Sequence, residues 1–270
     1  MKALSGTFTG EVRALLQEAS QRAILPRFRK LAKHDIQQKA ADDFVTVADR
    51  ESEEIIAAGL ARILPEAAIV GEEASHADPS LLDRLSGLCW IVDPLDGTHN
   101  FTHGAAPFGI IVALADAGET LAGWLYDPLS GRFCHARRGG GAFIGEDRIS
   151  ARTSGLEPPV VAISLLFLDL NERQAMASHI APHYTVVDIP RCAAEQYPRL
   201  ALGENDLSIF QRTLPWDHAA GVLWLNEAGG KAARPDGSAY RVDQHALPGL
   251  IGAASPALWD DLAARLTSLA

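Results

Sequence analysis

The sequence predicts an α/β protein, in which amphipathic helices alternate with short apolar strands along 270 residues. Three observations support this class. Apolar residues recur at helical spacing near the start, short apolar runs end at glycine or proline, and the length suits one large domain or two closely packed halves. The helical positions near the start are Val12, Leu15, Leu16, Ala19 and Ala23.

The first half, 1–150, is predicted to combine helices with a sheet. Asp49 should open a second helix, whose acidic first turn suits the positive end of the helix dipole. A strand over 67–70 stops at a glycine, and a strand over 88–92 stops at Asp93 because the following proline cannot continue a ladder. Further strands, with the turn signals of antiparallel pairs, are predicted at 109–114, 121–126, 132–136 and 141–144.

The second half, 151–270, is predicted to carry another set of alternating strands and helices. Strands are expected at 160–166, 185–189 and 207–210, and helices at 171–179, 195–202 and 216–228. The last of these helices is strongly apolar and is closed by a pair of glycines. No distinct linker separates the halves, so the boundary is placed within 150–157.

Composition and charge limit the possible functions. The formal net charge of −10 disfavours binding to nucleic acid polymers, and locally bound divalent cations would offset the repulsion of an anionic substrate. The three cysteines lack metal-ligand spacing and are expected to be buried thiols in a reducing compartment. No apolar run suits a membrane span or a secretory signal, so a cytoplasmic protein without a membrane partner is expected.

The densest chemistry lies in the segment DPLDGTHNF at 93–101. Its two aspartates, Asp93 and Asp96, flank the carbonyl of Leu95, so three oxygen atoms can converge from one turn on a hard cation such as Mg²⁺. Gly97 permits an unusual backbone angle, and its N–H and that of Thr98, at a helix start, can seat an anion. An Asp-rich surface turn that merely caps a helix is the alternative interpretation.

Two further carboxylates stand beside apolar elements. Glu72 follows a short apolar strand within the segment GEE, and Asp217 lies in the first turn of the apolar helix predicted at 216–228. The helix N-terminus would keep Asp217 ionised, as a metal ligand must be. Taken singly, Glu72 fits better as part of a solvated acidic turn, and Asp217 fits better as a capping residue.

The combination of motifs is more specific than any of its parts. With GEE, DPLDGTHNF and WDHAAG in this order, together with DFVTVAD at 43–49 and EAGG at 227–230, the sequence resembles the inositol monophosphatase family over most of its length. The resemblance implies a five-layer αβαβα sandwich, a homodimer and a Mg²⁺-dependent phosphatase of a small phosphate ester. Two divalent ions about 3.5–4 Å apart can clamp the attacking and leaving oxygens of such a reaction.

The same resemblance implies roles for individual residues. Asp49 and Thr98 would orient and deprotonate the attacking water, with Glu72 beside them as a catalytic carboxylate. The metal ligands would be Glu72, Asp93, the carbonyl of Leu95, Asp96 and Asp217. The substrate would contact Asp96, Gly97, Thr98, Ala193, Gln211 and Asp217.

Two departures from the family pattern bear on the substrate. Arg191 and Cys192 stand where many members carry glycine and serine, and Gln211 is nearest to the position where inositol-specific members carry a glutamate. A neutral amide binds vicinal hydroxyls more weakly than a carboxylate does, so strict inositol specificity is not expected. Arg191 would favour a second anionic group if it faces the site, and is otherwise a surface charge.

Two alternatives to an inositol-1-phosphatase-like enzyme remain. A relative could act on 3′-phosphoadenosine 5′-phosphate, fructose 1,6-bisphosphate or histidinol phosphate. A member of another functional class would be a non-catalytic sensor of phosphate metabolites that kept the fold. Asp49 and Thr98 argue against a sensor, because a sensor does not need residues that activate water.

Overall fold

The computed structural model describes residues 6–40, 43–163 and 168–268. Within these ranges the α-helices are α1 (Gly6–Ala19), α2 (Val47–Ile63), α3 (Glu72–Ala77), α4 (Thr98–Thr102), α5 (Leu170–Ala175), α6 (Ala193–Ala201), α7 (Pro215–Glu227) and α8 (Pro256–Thr267). The strands are β1 (Ile36–Ala40), β2 (Asp43–Thr46), β3 (Ala68–Gly71), β4 (Cys89–Asp96), β5 (Gly109–Asp116), β6 (Glu119–Tyr126), β7 (Phe133–Arg137), β8 (Gly141–Ile144), β9 (Asp147–Ile149), β10 (Val160–Ile163), β11 (Thr185–Val187), β12 (Leu207–Phe210), β13 (Lys231–Ala233) and β14 (Leu250–Ala253). Short π-helical turns, Ser20–Ile24 and Met176–Ile180, extend α1 and α5.

Two large sheets form the body of the described chain. The first has seven strands in the order β3-β4-β5-β6-β7-β8-β9 and is antiparallel except between β3 and β4. The second has five strands in the order β11-β10-β12-β14-β13, with β10 parallel to both of its neighbours. β1 and β2 pair separately as an antiparallel ribbon.

Three buried apolar clusters lie between successive layers of this architecture. The first packs α1 and α2 against the seven-stranded sheet, with Leu16 and Trp90 at its centre. The second lies between the two sheets and is filled by α6 and α7, including Trp224. The third joins α8 to the five-stranded sheet through Leu262 and Ile251. The layers therefore run α, β, α, β, α, which confirms the predicted five-layer sandwich.

Helix α2 begins two residues earlier than the sequence predicted. Thr46 is its N-cap, because the Thr46 hydroxyl accepts a hydrogen bond from the N–H of Ala48 at 3.0 Å. Asp49 occupies the third helical position, and its Oδ2 accepts the N–H of Thr46 at 2.8 Å. These reciprocal contacts form a capping box, so the prediction that Asp49 opens the helix is wrong, and Asp49 instead secures the helix start.

Strand β4 passes through Pro94 and ends at Asp96, whereas the sequence predicted an end at Asp93. The pairing register with β5 shifts between Asp93 and Asp96, which marks a bulge. Proline lacks an N–H, and a bulge tolerates that loss because the ladder is already interrupted there. The bulge leaves two carboxylates within the last four residues of one buried strand.

The remaining predicted elements are present, with ends that differ by a few residues. The strand predicted at 160–166 is β10 over its first four positions, and 164–166 lie outside the described residues. The strand predicted at 185–189 ends at Val187. Within the described ranges, no helix combines the length and the apolar character needed to cross a bilayer.

Candidate active site

Four carboxylates lie where the seven-stranded sheet meets α3 and α7. Glu72 is the first residue of α3, directly after β3. Asp93 and Asp96 lie among the last four residues of β4. Because β3 and β4 are parallel neighbours, their carboxyl ends meet at one edge of the sheet. Asp217 reaches this edge from the first turn of α7, which packs against β4.

The pKa of Asp93 is the clearest sign that these carboxylates are close together. Burial raises the pKa of Asp93 well above its ordinary value, and the negative charges of Glu72, Asp96 and Asp217 raise it further. Neighbouring carboxylates disfavour one another's ionised forms, and a bound cation reverses that effect. The site is therefore electrostatically suited to hold a cation.

The donor set of this carboxylate cluster suits a hard divalent cation, because its side chains offer only oxygen atoms and Mg²⁺ prefers oxygen ligands. In residues 6–40, 43–163 and 168–268, however, no three or more His, Cys, Asp or Glu side chains are grouped as a metal ion would require. The assignment of individual ligands therefore stays a prediction. The residues concerned are Glu72, Asp93, Leu95, Asp96 and Asp217.

Asp49 and Thr98, predicted to activate water, are in contact across 49 residues of sequence. The Thr98 hydroxyl lies 3.0 Å from Asp49 Oδ1 and 2.8 Å from the carbonyl oxygen of Leu95. Its one hydrogen can be donated to only one of these acceptors at a time. The Thr46 hydroxyl donates to Asp49 Oδ2 at 2.6 Å, so both carboxylate oxygens of Asp49 are held.

The protonation of Asp49 is poised near neutral pH. Burial raises the pKa of Asp49 to about 7, and the charge of Glu73 adds to the rise, while hydrogen bonds from Thr46 and Thr98 oppose it. A carboxylate with such a pKa can both accept and release a proton at neutral pH. Asp49 is therefore chemically competent as a general base.

Asp96 joins the two halves of the chain. Its Oδ2 accepts the N–H of Ala194 at 2.6 Å and the thiol of Cys192 at 3.1 Å. Burial raises the pKa of Asp96 to about 6, and contacts with Ala194, Cys192, Ala193 and the N–H of Gly97 moderate the rise. The structure thus brings the predicted substrate residues Asp96 and Ala193 together.

Gly97 is needed for both its backbone angle and its lack of a side chain. Its φ is +83°, in the left-handed region that glycine adopts without strain. A Cβ atom at this position would lie 2.9 Å from the carbonyl oxygen of Pro107 and 3.3 Å from the Cβ of Cys192. Any larger residue would separate the turn after β4 from the segment that contacts Asp96.

Glu53 is a functional candidate that the sequence reasoning missed. Its two carboxylate oxygens accept the N–H groups of Glu73 and Ala74, each at 2.9 Å, and so cap the start of α3. A Cβ at Gly71 would collide with this carboxylate, which explains the glycine before Glu72. The sequence did contain a signal for this role, because Glu53 lies one helical turn after Asp49 and the GEE motif supplies the helix start that it caps.

Gln211 and Asp217 lie on either side of the turn between β12 and α7. The backbone carbonyl of Gln211 accepts the N–H of Gly249 at 3.0 Å. Arg212 Nη2 lies 4.0 Å from Asp217 Oδ2.

His218, the residue after Asp217, is buried, with Nδ1 facing the Tyr197 hydroxyl at 2.8 Å and Nε2 facing the carbonyl of Arg212 at 3.0 Å. Its neighbours therefore give His218 a structural role in shaping this turn.

The fold and the site define a class of protein: a five-layer αβαβα sandwich with four carboxylates at one edge of a sheet, two of them buried, and a hydrogen-bonded Asp–Thr pair. The family model described as "Inositol monophosphatase family" matches residues 9–269. The chain belongs to the inositol monophosphatase family, a phosphatase family whose members are generally metal-dependent.

Relatives and a solved structure support this membership. "Inositol-1-monophosphatase" of Bacillus subtilis is 30% identical over 74% of this chain and 75% of its own length. "Fructose-1,6-bisphosphatase/inositol-1-monophosphatase" of Thermotoga maritima is 30% identical over 70% of each chain. The crystal structure of the extragenic suppressor protein suhB from Bartonella henselae aligns with a TM-score of 0.80 at 26% identity, covering 97% of this chain and 98% of that one.

Proposed function

We propose that this protein is a Mg²⁺-dependent phosphomonoesterase that hydrolyses a small phosphorylated metabolite with activated water, as an inositol-1-phosphatase does. The contact of 3.0 Å between the Thr98 hydroxyl and Asp49 carries the proposal. The same hydroxyl lies 2.8 Å from the carbonyl of Leu95, so it links Asp49, whose pKa burial raises to about 7, to the segment that carries Asp93 and Asp96. A protein that only senses a phosphate ester needs no such acceptor.

In the proposed reaction the bound metal, Thr98 and Asp49 have separate roles. Mg²⁺ held by the carboxylate cluster would supply positive charge for the phosphoryl oxygens and lower the pKa of water. The Thr98 hydroxyl would orient the attacking water, and Asp49 would accept the proton relayed through that hydroxyl. Asp49 is suited to this role because Thr46 holds its other oxygen in place.

The proposed substrate range is broader than inositol 1-phosphate. Gln211 lies nearest to the position where inositol-specific members of the family carry a glutamate. An amide forms weaker hydrogen bonds to substrate hydroxyls than a carboxylate does. The Thermotoga relative, whose name joins a fructose-1,6-bisphosphatase and an inositol-1-monophosphatase, also supports a family site that is not restricted to inositol. We further propose that the enzyme is a homodimer, as the family resemblance implies, and that it is cytoplasmic.

Phosphate release from a panel of esters tests the proposal. The panel contains inositol 1-phosphate, 2-glycerophosphate, fructose 1,6-bisphosphate, 3′-phosphoadenosine 5′-phosphate and histidinol phosphate, each with Mg²⁺ and with excess chelator. We expect turnover of several esters with Mg²⁺ and none with chelator, and a preference for inositol 1-phosphate of less than about a hundredfold. Binding without turnover of any ester would support a sensor instead.

A further inference from the structure

Arg234 is a buried arginine whose hydrogen-bond acceptors are neutral oxygen atoms. It directly follows β13, and burial lowers the pKa of its guanidinium. Among residues 6–40, 43–163 and 168–268, the N–H of its Nε has no hydrogen-bond partner. Taking a charge out of water is costly unless the protein compensates it. An arginine kept in such a place is expected to have a specific role for its remaining donors.

These donors tie two separate backbone segments together. Nη1 lies 2.9 Å from the hydroxyl of Thr213, in the turn 211–214 that precedes α7. The other acceptors belong to the loop 244–249 and are the carbonyl oxygens of Leu247 at 2.8 Å, Gly249 at 3.0 Å and Gln244 at 3.2 Å. The guanidinium therefore fastens the loop 244–249 to the turn 211–214.

Tyr240 supports the same turn from a second side. Its hydroxyl donates to the carbonyl of Thr213 at 3.3 Å, and the Arg234 guanidinium lies over its ring, 5.1 Å from the centroid, an attractive arrangement. Burial raises the pKa of Tyr240, the charge of Arg234 opposes the rise, and the charge of Asp217 adds to it. Tyr240, which contacts both Arg234 and the turn, thus lies close to Asp217.

The turn 211–214 determines where α7 begins. Leu214 is the N-cap of α7, and its carbonyl accepts the N–H of His218 at 3.2 Å. Asp217 lies between these two residues, and its charge contributes to the raised pKa of Asp93. A displacement of the turn would therefore move Asp217 relative to the other carboxylates.

We infer that Arg234 is a positioning residue for the cation site, because it fixes the turn that places Asp217 among the carboxylates. The inference rests on the metal-dependent function proposed above. Replacing a residue that supports a metal ligand typically lowers metal affinity about ten- to a hundredfold, although the residue does not touch the ion. Arg234 should therefore act on Mg²⁺ affinity rather than on the proton transfer assigned to Asp49 and Thr98.

Arg234→Lys and Arg234→Met test this role. Lysine keeps the charge, but a single ammonium group cannot span the acceptors that a guanidinium fork reaches, and methionine has no donor at all. For Arg234→Lys we expect the Mg²⁺ concentration that gives half of the maximal rise in Tm to increase about tenfold, and for Arg234→Met to increase further. Calorimetric titration with Mg²⁺ measures the same change without turnover. The value of kcat at saturating Mg²⁺ should stay within about threefold of the wild type.

Asp206→Asn is the matched control. Asp206 is also buried, and its carboxylate accepts the N–H groups of Ser154 at 2.7 Å and Val160 at 2.8 Å. It directly precedes β12, at the opposite end of that strand from the turn 211–214. An amide turns its NH₂ toward one of these donors, so this variant should lose thermal stability but keep the wild-type Mg²⁺ response. An unchanged Mg²⁺ response in the Arg234 variants that fold, or an equal shift in Asp206→Asn, would overturn the positioning role.

Phosphate release by the wild type separates this inference from the proposed function. Mg²⁺ binding without turnover of any ester would contradict the phosphatase. A Mg²⁺ response about tenfold weaker, confined to the Arg234 variants, would still support the positioning role in that case. A wild type whose Tm does not respond to Mg²⁺ and that shows no Mg²⁺ binding by calorimetry would overturn both.

Discussion

The hydroxyl of Thr98 lies 3.0 Å from Asp49 Oδ1, although the two residues belong to different helices and lie 49 positions apart. The Thr46 hydroxyl and N–H hold the other oxygen of Asp49, so the carboxylate cannot turn away from Thr98 without losing these bonds. Asp49 thus secures the start of α2 and faces the candidate site with the same side chain.

Replacing Thr98 with alanine should lower kcat more than it changes KM. In the proposed mechanism the hydroxyl orients water in the transition state and contributes little to binding of the ester. We expect about a hundredfold loss of kcat, measured by initial rates over a substrate range. Thr98→Ser retains the hydroxyl and should recover most of the rate, whereas a loss confined to KM would make Thr98 a substrate-binding residue.

Glu53→Gln should weaken the response to Mg²⁺. The carboxylate of Glu53 accepts two N–H groups at the start of α3, while an amide can accept only through its oxygen and turns its NH₂ toward the other donor. Glu72 would lose its fixed position, raising the Mg²⁺ concentration for half-maximal rate about tenfold. Activity is measured across Mg²⁺ concentrations, and the exposed neighbour Glu54 provides the control variant Glu54→Gln. Identical Mg²⁺ dependence in both variants would contradict this role.

Asp93→Asn should lower turnover roughly a hundred- to a thousandfold while the fold survives. The change keeps the volume of the side chain but removes a charge from the centre of the carboxylate cluster. Steady-state rates at saturating Mg²⁺ and a circular dichroism spectrum provide the two readouts. Rates near those of the wild type would mean that Asp93 is not needed to hold a metal.

The metal-free protein should lose stability between pH 6.5 and 7.5. Folding raises the pKa of Asp49 to about 7 and that of Asp93 well above normal, so the folded state holds protons that the unfolded state has released. Stability gained from these protons is complete at low pH and is lost as pH rises through the folded-state values, by about 1 kcal/mol over this window. Buried His218, whose pKa falls to about 3, acts in the opposite direction but mainly below its unfolded value near 6.5.

Urea unfolding in chelator at the two pH values measures this loss of stability. Asp93→Asn removes one of the titrating groups and should show a smaller decrease than the wild type. Added Mg²⁺ should remove the decrease or reverse it, because ionised carboxylates bind the cation. A free energy of unfolding that rises with pH in the metal-free wild type would contradict the predicted sign.

The sequence by itself determined the α/β class and the identity of the chemical groups. Helical and strand periodicity depend on near neighbours in the chain, and the order of the motifs indicated which carboxylates belong together. The five layers came from the family resemblance, not from periodicity, and the structure agrees with them through its three buried clusters.

Only the tertiary structure decided how distant segments meet. Local rules ended this strand at Asp93, before Pro94, but pairing with β5 carries β4 onward through a bulge to Asp96. Glu53 reaches the start of α3 from 20 residues away, and Arg191 reaches His99 across 92. Such contacts depend on the packing of whole layers against one another, and no periodicity or motif within a single segment encodes that packing.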